Sequence, residues 1–591
     1  MQSAARESFG QGASAAGRGG ITGRPNRMHS DIPYLTEILV CLAVAGVLAP
    51  VAKRLSLSQS LAESEGRLGR KELLVNMIWL SERLLSPIVL LALLTATGAS
   101  ARVYHVDSVN GHDGNDALLP ATAWRSLGRL REARLEPGDQ VLLAAGSVWR
   151  EPLTVARSGR GPAPIVVKPA GVGARPRIEA GGVSEYAVAI LNAEYVEISG
   201  LEVTNDGLPS GPRFGVLISQ QDTGVARNIA VRDMYIHDVR GTNQRKDNGG
   251  IVFRALGGKR ATRFHNLTIE RNIIWRVDRS GIAGISDQVT LDNWFPSEGV
   301  VIRDNYLEDI GGDGIVPRGA DGALVEHNVV RYAASRAPGY NVAIWQWSTD
   351  NTLIQLNEAA FTQGRWDGQG FDSDFNSRGT TIAYNFSHDN EGGFVLICSP
   401  GRTGPENIGN QRSVVRANVS RHDGARIIQL SGGISHARIE GNVIHVGSHQ
   451  DVTMVAATQW QGWPSDVSFT NNLFAIAGKG RYGHEIGRDG PNYIVASGFP
   501  HSPAIQFQGN RFLGRHLDPP EDPRGVWQAE YQAAAADWSI PTFDPAHPDG
   551  LGEFLVSHRS WMMAMLAREL GQPVRLLAPR RSTWMEARPK P

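Results

Sequence analysis

Short segments of alternating hydrophobic and polar residues run along the middle of the chain, separated by turns rich in Gly, Asp and Asn. One segment recurs in the form apolar-x-x-Asn-apolar-x-apolar, and its asparagines are 23 to 38 residues apart: Asn272, Asn305, Asn328, Asn357, Asn385, Asn418, Asn442, Asn472 and Asn510. No unit contains an amphipathic stretch of helical length. Each unit therefore predicts two or three short strands that form one coil of a solenoid, with loops of different lengths inserted.

The alternation predicts a narrow interior filled by Val, Ile, Leu and Phe from every strand. Asparagines at equivalent turns of stacked coils would lie about 4.8 Å apart and bond to one another. A residue that recurs in every coil cannot be specific to one active site, so we interpret these asparagines as structural. The predicted fold class is all-β, a right-handed parallel β-helix solenoid.

Four segments near the start of the repeat region carry a family resemblance: "VYHVDSVNGHDGND", "PATAWRSLGRL", "LEPGDQVLLAAGSVWREPL" and "PIVVKPAG". They resemble the N-terminal cap and first coils of secreted bacterial proteins of the pectin-lyase-like family of right-handed β-helices. The resemblance covers residues 102–515 and implies a protein that acts on polysaccharides. It does not imply one reaction, because this architecture hosts lyases, hydrolases, epimerases, esterases and phage adhesins.

Residues 516–591 change character and predict a C-terminal cap region. "WQAEYQAAAADW" and "SHRSWMMAMLAREL" are typical of helices, and we expect this region to cover the open strand edges of the last coil.

The N-terminal 101 residues predict export. Residues 77–101 resemble a signal peptide, with Arg83, an apolar run and a small-x-small site that ends at Ala101. Residues 1–76 are then a non-native or disordered extension, with Met77 as the true start. The mature protein is expected to be secreted or periplasmic, without a membrane anchor.

Charge and cysteine content exclude several classes. Lys and Arg number 59, as do Asp and Glu, and no basic block occurs, so no nucleic-acid partner is expected. Of the two cysteines, Cys41 lies before the cleavage site, which excludes a disulfide in the mature chain. Cys398 is expected to pack as a small apolar residue. The oligomeric state is not predicted.

The segment "WDGQGFDSDF", residues 366–375, carries the candidate chemistry. Side chains alternate on a strand and an unpaired carboxylate in the apolar interior would cost several kcal/mol, so Phe371 should point inward and Asp372 and Asp374 outward. Two such acids can span the roughly 6.5 to 9.5 Å of inverting glycosidases, or the shorter retaining distance. One acid would protonate the leaving oxygen and the other would activate water.

Counting back from the asparagines places further side chains on the same outward strip. Arg318 and Trp347 each lie ten residues before their asparagine, and Asp374 lies eleven before Asn385. We predict that Arg318 assists catalysis. Trp345, Trp347, Trp366 and Arg426 are predicted to bind a polysaccharide or oligosaccharide, with the indoles stacking on sugar rings.

The last two candidates are Glu391 and His388, which follow Asn385 in the sequence. Glu391 is a candidate third acid. His388 is a secondary candidate for a proton shuttle, although its pairing with an aspartate recurs in other coils, which favours a structural role.

Two alternatives to a glycoside hydrolase stay open. A lyase that cleaves uronates would need Ca²⁺, for which Asp367 is the candidate ligand, and an Arg base, for which Arg318, Arg365 and Arg426 are candidates. The hydrolase needs no cofactor. The third interpretation is a β-helix that binds glycans without catalysis.

Overall fold

The computed structural model describes residues 101–208, 211–364, 366–531 and 538–580. The predicted extension at 1–76 and all of the predicted signal peptide except Ala101 lie outside these residues, as does Arg365. Among the described helices, none has both the length and the apolarity to cross a membrane.

The chain coils into parallel strands that stack in three sheets. Within a coil, a strand of sheet 1 leads through a tight turn to sheet 2, and a loop of variable length then leads to sheet 3. Pairing is parallel between successive coils, for example Ile344 with Phe371 and Phe371 with Val395. This is the predicted right-handed parallel β-helix.

Within the part of the chain that the structure describes, sheet 1 has 17 strands: Val103–Val106, Gln140–Ala144, Ile165–Ala170, Val196–Ser199, Val225–Arg232, Arg263–Glu270, Ser297–Arg303, Ala320–Asp321, Leu324–Glu326, Leu353–Gln355, Ser377–Arg378, Thr381–Ala383, Asn410–Gln411, Val414–Arg416, Ile434–Glu440, Ser465–Thr470 and Ile505–Gln508.

The long strand Leu473–Asp489 belongs to both sheet 2 and sheet 3 and joins them into one sheet, which has 26 strands among the described residues. The other strands of sheet 2 are Val148–Trp149, Arg177–Glu179, Glu202–Asp206, Tyr235–Arg240, Ile273–Val277, Tyr306–Ile310, Val329–Arg331, Glu358–Ala360, Phe386–His388, Val419–Arg421, Val443–Val446, Arg511–Leu517 and Val526–Gln528. The other strands of sheet 3 are Leu153–Val155, Tyr186–Leu191, Phe214–Gln221, Gly249–Leu256, Ser280–Ser286, Ile315–Val316, Ile344–Gln346, Gln369–Ser373, Gly393–Ser399, Arg426–Gly432, Asp451–Thr458 and the antiparallel Asn492–Ser497.

Asparagines at the turn between sheets 1 and 2 form a continuous ladder, as predicted. Asn305 shows the pattern: its Nδ2 donates to Asn328 Oδ1 at 2.9 Å and to the Ile269 carbonyl at 3.0 Å. Its Oδ1 accepts from both nitrogens of Asn272. The ladder ends on a carboxylate, because Asn510 donates to Asp522 Oδ2 at 2.8 Å. Each buried amide is thereby satisfied by its neighbours in the adjacent coils.

The helices of the described residues lie outside the coils: α1 at Gly128–Glu132, α2 at Leu551–Leu570, and 3-10 turns at Pro120–Thr122 and Pro548–Gly550. The predicted helix in "SHRSWMMAMLAREL" is confirmed as part of α2. The start of "WQAEYQAAAADW" instead forms the strand Val526–Gln528, and residues 532–537 lie outside the described part.

The C-terminal region covers the last coil through the strand Val526–Gln528, which pairs with Arg511–Leu517, whereas α2 lies elsewhere. Leu551, Phe554 and Leu555 pack on sheet 2 around Tyr306 and Val329. Met562, Met565 and Leu566 pack around outward side chains of later coils: Phe386, Val419 and Val443. The helix lies along the side of sheet 2 because these apolar side chains point away from the interior and need a cover.

Candidate active site on the outward face of sheet 3

The parallel register of sheet 3 brings the predicted strip together. Trp345, Asp372, Leu396 and Gln429 occupy equivalent positions in four successive coils. Two residues further along each strand, Arg318 pairs with Trp347, and the same register continues to Asp374 and Cys398. The predicted alignment of Arg318, Trp347 and Asp374 is confirmed.

Strand Gln369–Ser373 has the predicted orientation. Phe371 is fully buried in the main hydrophobic core, whereas Asp372 on the other face has an indole and Leu396 as its neighbours in the adjacent coils. Asp372 is only 2% exposed and Asp374, just beyond the strand, is half-buried. One carboxylate oxygen of Asp372 lies within 4.8 Å of one of Asp374, so the two acids are close neighbours.

Two further aspartates join this pair. Asp367 lies in the loop before the strand, and burial together with the negative charge of Asp374 raises its pKa to about 7 although Lys246 and Arg426 oppose the shift. Asp313 also faces the pair and contributes to their raised pKa values.

The carboxylates differ in how strongly their pKa values are perturbed. Burial and the charges of Asp374 and Asp367 raise the pKa of Asp372 well above its usual range. Burial also raises the pKa of Asp374, but hydrogen bonds from the Cys398 thiol and the Phe375 amide act in the opposite direction. Asp374 is therefore the more readily ionised of the coupled pair.

Lys246 enters the site from a loop more than a hundred residues earlier in the chain. Its Nζ lies 3.3 Å from Asp313 Oδ2, donates to the Tyr340 carbonyl at 2.7 Å and stands 4.6 Å from the centre of the Trp345 ring. Its positive charge lowers the pKa values of Asp367, Asp372 and Asp374. This lysine partly neutralises the acidic cluster.

Arg426 supports the loop that carries Asp367. It is 4% exposed, and its guanidinium donates to Gln429 at 2.6 Å and to the carbonyls of Trp366 and Asp367 at 3.4 and 3.3 Å. The prediction that Arg426 binds substrate is therefore corrected, because its donors are engaged within the protein.

The three predicted sugar-binding tryptophans have different surroundings. Trp345 and Trp347 point outward as predicted, but Trp345 is 5% exposed and its indole nitrogen donates to Asp313. Arg318 covers one face of Trp347 at 3.9 Å, and burial lowers the pKa of Arg318 to about 10. Trp366 is 38% exposed and meets the equally open Tyr340 edge to face. This last pair is the aromatic surface open to a sugar.

Glu391 stays a candidate third acid in the loop that leads to sheet 3, whereas the position of His388 contradicts its predicted role. Glu391 is exposed and accepts the Gly364 amide at 2.8 Å, which anchors the loop before Asp367. His388 lies on sheet 2 instead of sheet 3, bonded to Asp389 at 2.8 Å and 3.5 Å from the fully buried Glu358. Glu358 is also bonded to His558 of α2 at 2.8 Å. The shuttle prediction for His388 is corrected, because its ring is enclosed beneath α2.

The donor groups do not fit Ca²⁺. Among the described residues, the acidic and thiol ligand atoms that lie close together belong to Asp372, Asp374 and Cys398, and Asp367 is outside this group. Ca²⁺ takes six to eight oxygen ligands, and a thiol is not a ligand of that kind. The prediction of Asp367 as a calcium ligand is therefore unsupported, and no metal is assigned here.

Comparisons with known proteins agree with this architecture. The profile described as "Right handed beta helix region" matches residues 179–359. This chain has the right-handed β-helix fold. The profile match lies within the coils, and its end at 359 precedes the Asp367 loop.

Two lacto-N-biosidases are similar over longer stretches. The enzyme from Bifidobacterium longum subsp. longum is 26% identical over 481 residues, covering 64% of this chain and 29% of the relative. The crystal structure of a GH136 lacto-N-biosidase from Eubacterium ramulus is 29% identical with a TM-score of 0.53, covering 58% of this chain and 64% of that one. This chain thus spans less than two thirds of either relative.

A third similar structure, XylC in complex with xylose, is 10% identical with a TM-score of 0.42 and covers 73% of this chain and 87% of that one. Its likeness is too low to bear on activity.

Sequence reasoning missed Asp313, Lys246, Tyr340 and Cys398. Asp313 lies in the Gly-rich segment "GGDGIVPRG", which is typical of a turn, and Lys246 lies in a polar loop. Both reach the strip through loops between sheets 2 and 3. The positions of Asp313 and Lys246 in the chain could have identified them, since each lies between a sheet-2 strand and the next sheet-3 strand, as Asp367 does.

Proposed function

We propose that the protein is a glycoside hydrolase that cleaves an oligosaccharide or polysaccharide at the outward face of sheet 3. The observation that carries this proposal is the convergence of Asp367, Asp372 and Asp374 beside the exposed Trp366 and Tyr340 pair. The similarity to two lacto-N-biosidases supports it.

The catalytic roles follow from exposure and protonation. Asp367, whose pKa is raised to about 7, is the general acid because it keeps its proton near neutral pH and can donate it to the leaving oxygen. Asp374, half-buried and stabilised by two donors, is the ionised carboxylate that attacks the sugar or activates water. Asp372 is too deeply buried for direct contact and acts on Asp374 by its position.

The charge of the site favours a hydrolase over a uronate lyase. A uronate would bring a further carboxylate to a cluster of aspartates. Lys246 and Arg426 are cations whose charges lower the pKa of Asp367 in this cluster, and both already bond to protein acceptors. A neutral sugar meets no such repulsion, and Trp366 offers it a stacking face.

The test is hydrolysis of a lacto-N-bioside, the substrate class that the relatives' name implies, together with a panel of neutral and uronic-acid glycans. Asp367→Asn and Asp374→Asn should each reduce kcat/KM by about 10³-fold, since each removes one acid–base function. The exposed Asp466→Asn on sheet 1 is the matched control and should stay within about 2-fold of wild type.

Three outcomes would contradict the proposal. They are full activity of Asp367→Asn or Asp374→Asn, an unsaturated uronate as the product, and binding of the glycan without turnover. Nuclear magnetic resonance of the first-formed anomer assigns Asp374 as a nucleophile if configuration is retained and as a base if it is inverted.

A further inference from the structure

Cys398 contacts both buried acids of the candidate site. The register of sheet 3 places it one coil after Asp374, where its Sγ lies 2.9 Å from Asp374 Oδ1 and 3.9 Å from Asp372 Oδ1. Cys398 is 6% exposed. The thiol is therefore an internal partner of the carboxylates, and the expectation that it packs as an apolar residue is wrong.

We propose that Cys398 is a positioning residue that directs negative charge to Asp374 by donating its thiol hydrogen to that carboxylate. This inference rests on the proposed function, because it assumes that Asp374 must be ionised for turnover. It gives a chemical role to a side chain that neither the repeat nor the predicted mechanism uses.

The donors around the two acids are unequal. Asp374 accepts from the Cys398 thiol at 2.9 Å and from the Phe375 amide at 2.6 Å. Among the described residues, Asp372 receives only the long thiol contact, and it is flanked by Trp345 and Leu396. Two carboxylates this close cannot both ionise easily, so the better-bonded one holds the charge.

The thiol remains a donor across the working pH range. Burial and the neighbouring charges of Asp372 and Asp374 raise the pKa of Cys398 well above its usual range. Asp367 adds to that shift. Lys246 and Asp313 also act on Asp374, and the Cys398 substitutions leave both of these charged side chains in place.

The experiment compares variants that separate hydrogen bonding from volume. Cys398→Ala and Cys398→Val remove the donor while bracketing the size of the side chain, and Cys398→Ser keeps a donor. Ser431→Ala is the matched control, because Ser431 occupies the same register one coil further on. The readouts are the pH profile of kcat/KM, the separate values of kcat and KM, and the unfolding transition.

Loss of the donor should raise the pKa of Asp374, so the acid limb of the profile should move to higher pH by about 0.5 to 1 unit in Cys398→Ala and Cys398→Val. On the acid side of that limb, where turnover follows the ionised fraction of Asp374, kcat should fall about 3- to 10-fold with KM nearly unchanged. Cys398→Ser and Ser431→Ala should keep the wild-type acid limb.

The outcomes separate the two proposals. If Asp374→Asn is inactive and the acid limb is the same in all folded Cys398 variants, the role of Cys398 is refuted and the proposed function stands. If Cys398→Ser shifts the limb as much as the variants without a donor, the thiol acts by volume, and the inference is again refuted. If Asp374→Asn is fully active, the proposed function itself fails.

Discussion

Replacing one ladder asparagine, Asn305, by alanine should destabilise the whole coil stack. The Asn305 side chain is fully buried and takes part in four hydrogen bonds, two donated by Nδ2 and two accepted by Oδ1. At about 1 kcal/mol for each bond, the variant loses about 4 kcal/mol of unfolding free energy. Part of this loss arises because the two nitrogens of Asn272 lose Asn305 Oδ1 as their acceptor in a buried turn.

Urea unfolding followed by tryptophan fluorescence measures this loss. Asn492→Ala is the control, because Asn492 is exposed and lies in extended backbone at the start of the strand Asn492–Ser497. It should change the unfolding free energy by less than about 0.5 kcal/mol. A similarly small change in Asn305→Ala would show that water replaces the ladder bonds at no cost, and the structural interpretation of the repeat would be refuted.

Three further outcomes are expected. Lys246→Met removes the charge that lowers the pKa values of Asp367 and Asp374, so both limbs of the pH–activity profile should move to higher pH. An unchanged profile would show that Lys246 does not influence the pKa values of these acids. Trp366→Ala should raise KM by about 2- to 10-fold with kcat nearly constant, and an unchanged KM would exclude stacking there. Bonds from Asn510 and neighbouring amides depress the pKa of Asp522, so its contribution to stability is present above the unfolded pKa and is lost as pH falls through the folded pKa. The Asp522→Asn variant should not lose this stability on acidification. A pH dependence of its unfolding free energy equal to that of wild type would contradict the prediction.

The parts of the fold that local pattern controls could be predicted. Alternation on a strand decides which side chains enter the interior, so the inward Phe371 and outward Asp372 followed from the sequence alone. The ladder followed from the repeat of asparagine at one turn. Both features depend on a period that does not change when loops are inserted elsewhere in the coil.

The site depends on contacts between loops, which no local pattern records. Asp374 lies 17 residues after its preceding ladder asparagine, whereas Cys398 lies 13 after Asn385, although the two residues occupy the same register. Variable loops before sheet 3 cause this mismatch, so counting could not align them. The position of α2 was missed for a related reason. Outward apolar residues such as Phe386 have the same local pattern as interior ones.

The length of α2 has a consequence for cooperativity. Its 20 residues extend about 30 Å, and the sheet-2 strands from Ile273 to Val443 that it covers rise about 4.8 Å per coil over six steps, nearly the same distance. Coils in a solenoid ordinarily interact only with nearest neighbours and can open one at a time. Because α2 packs against several coils, the opening of any one coil breaks contacts with a helix that the other coils also hold. During synthesis these coils emerge before α2, so they should become a single cooperative unit only after α2 has been made.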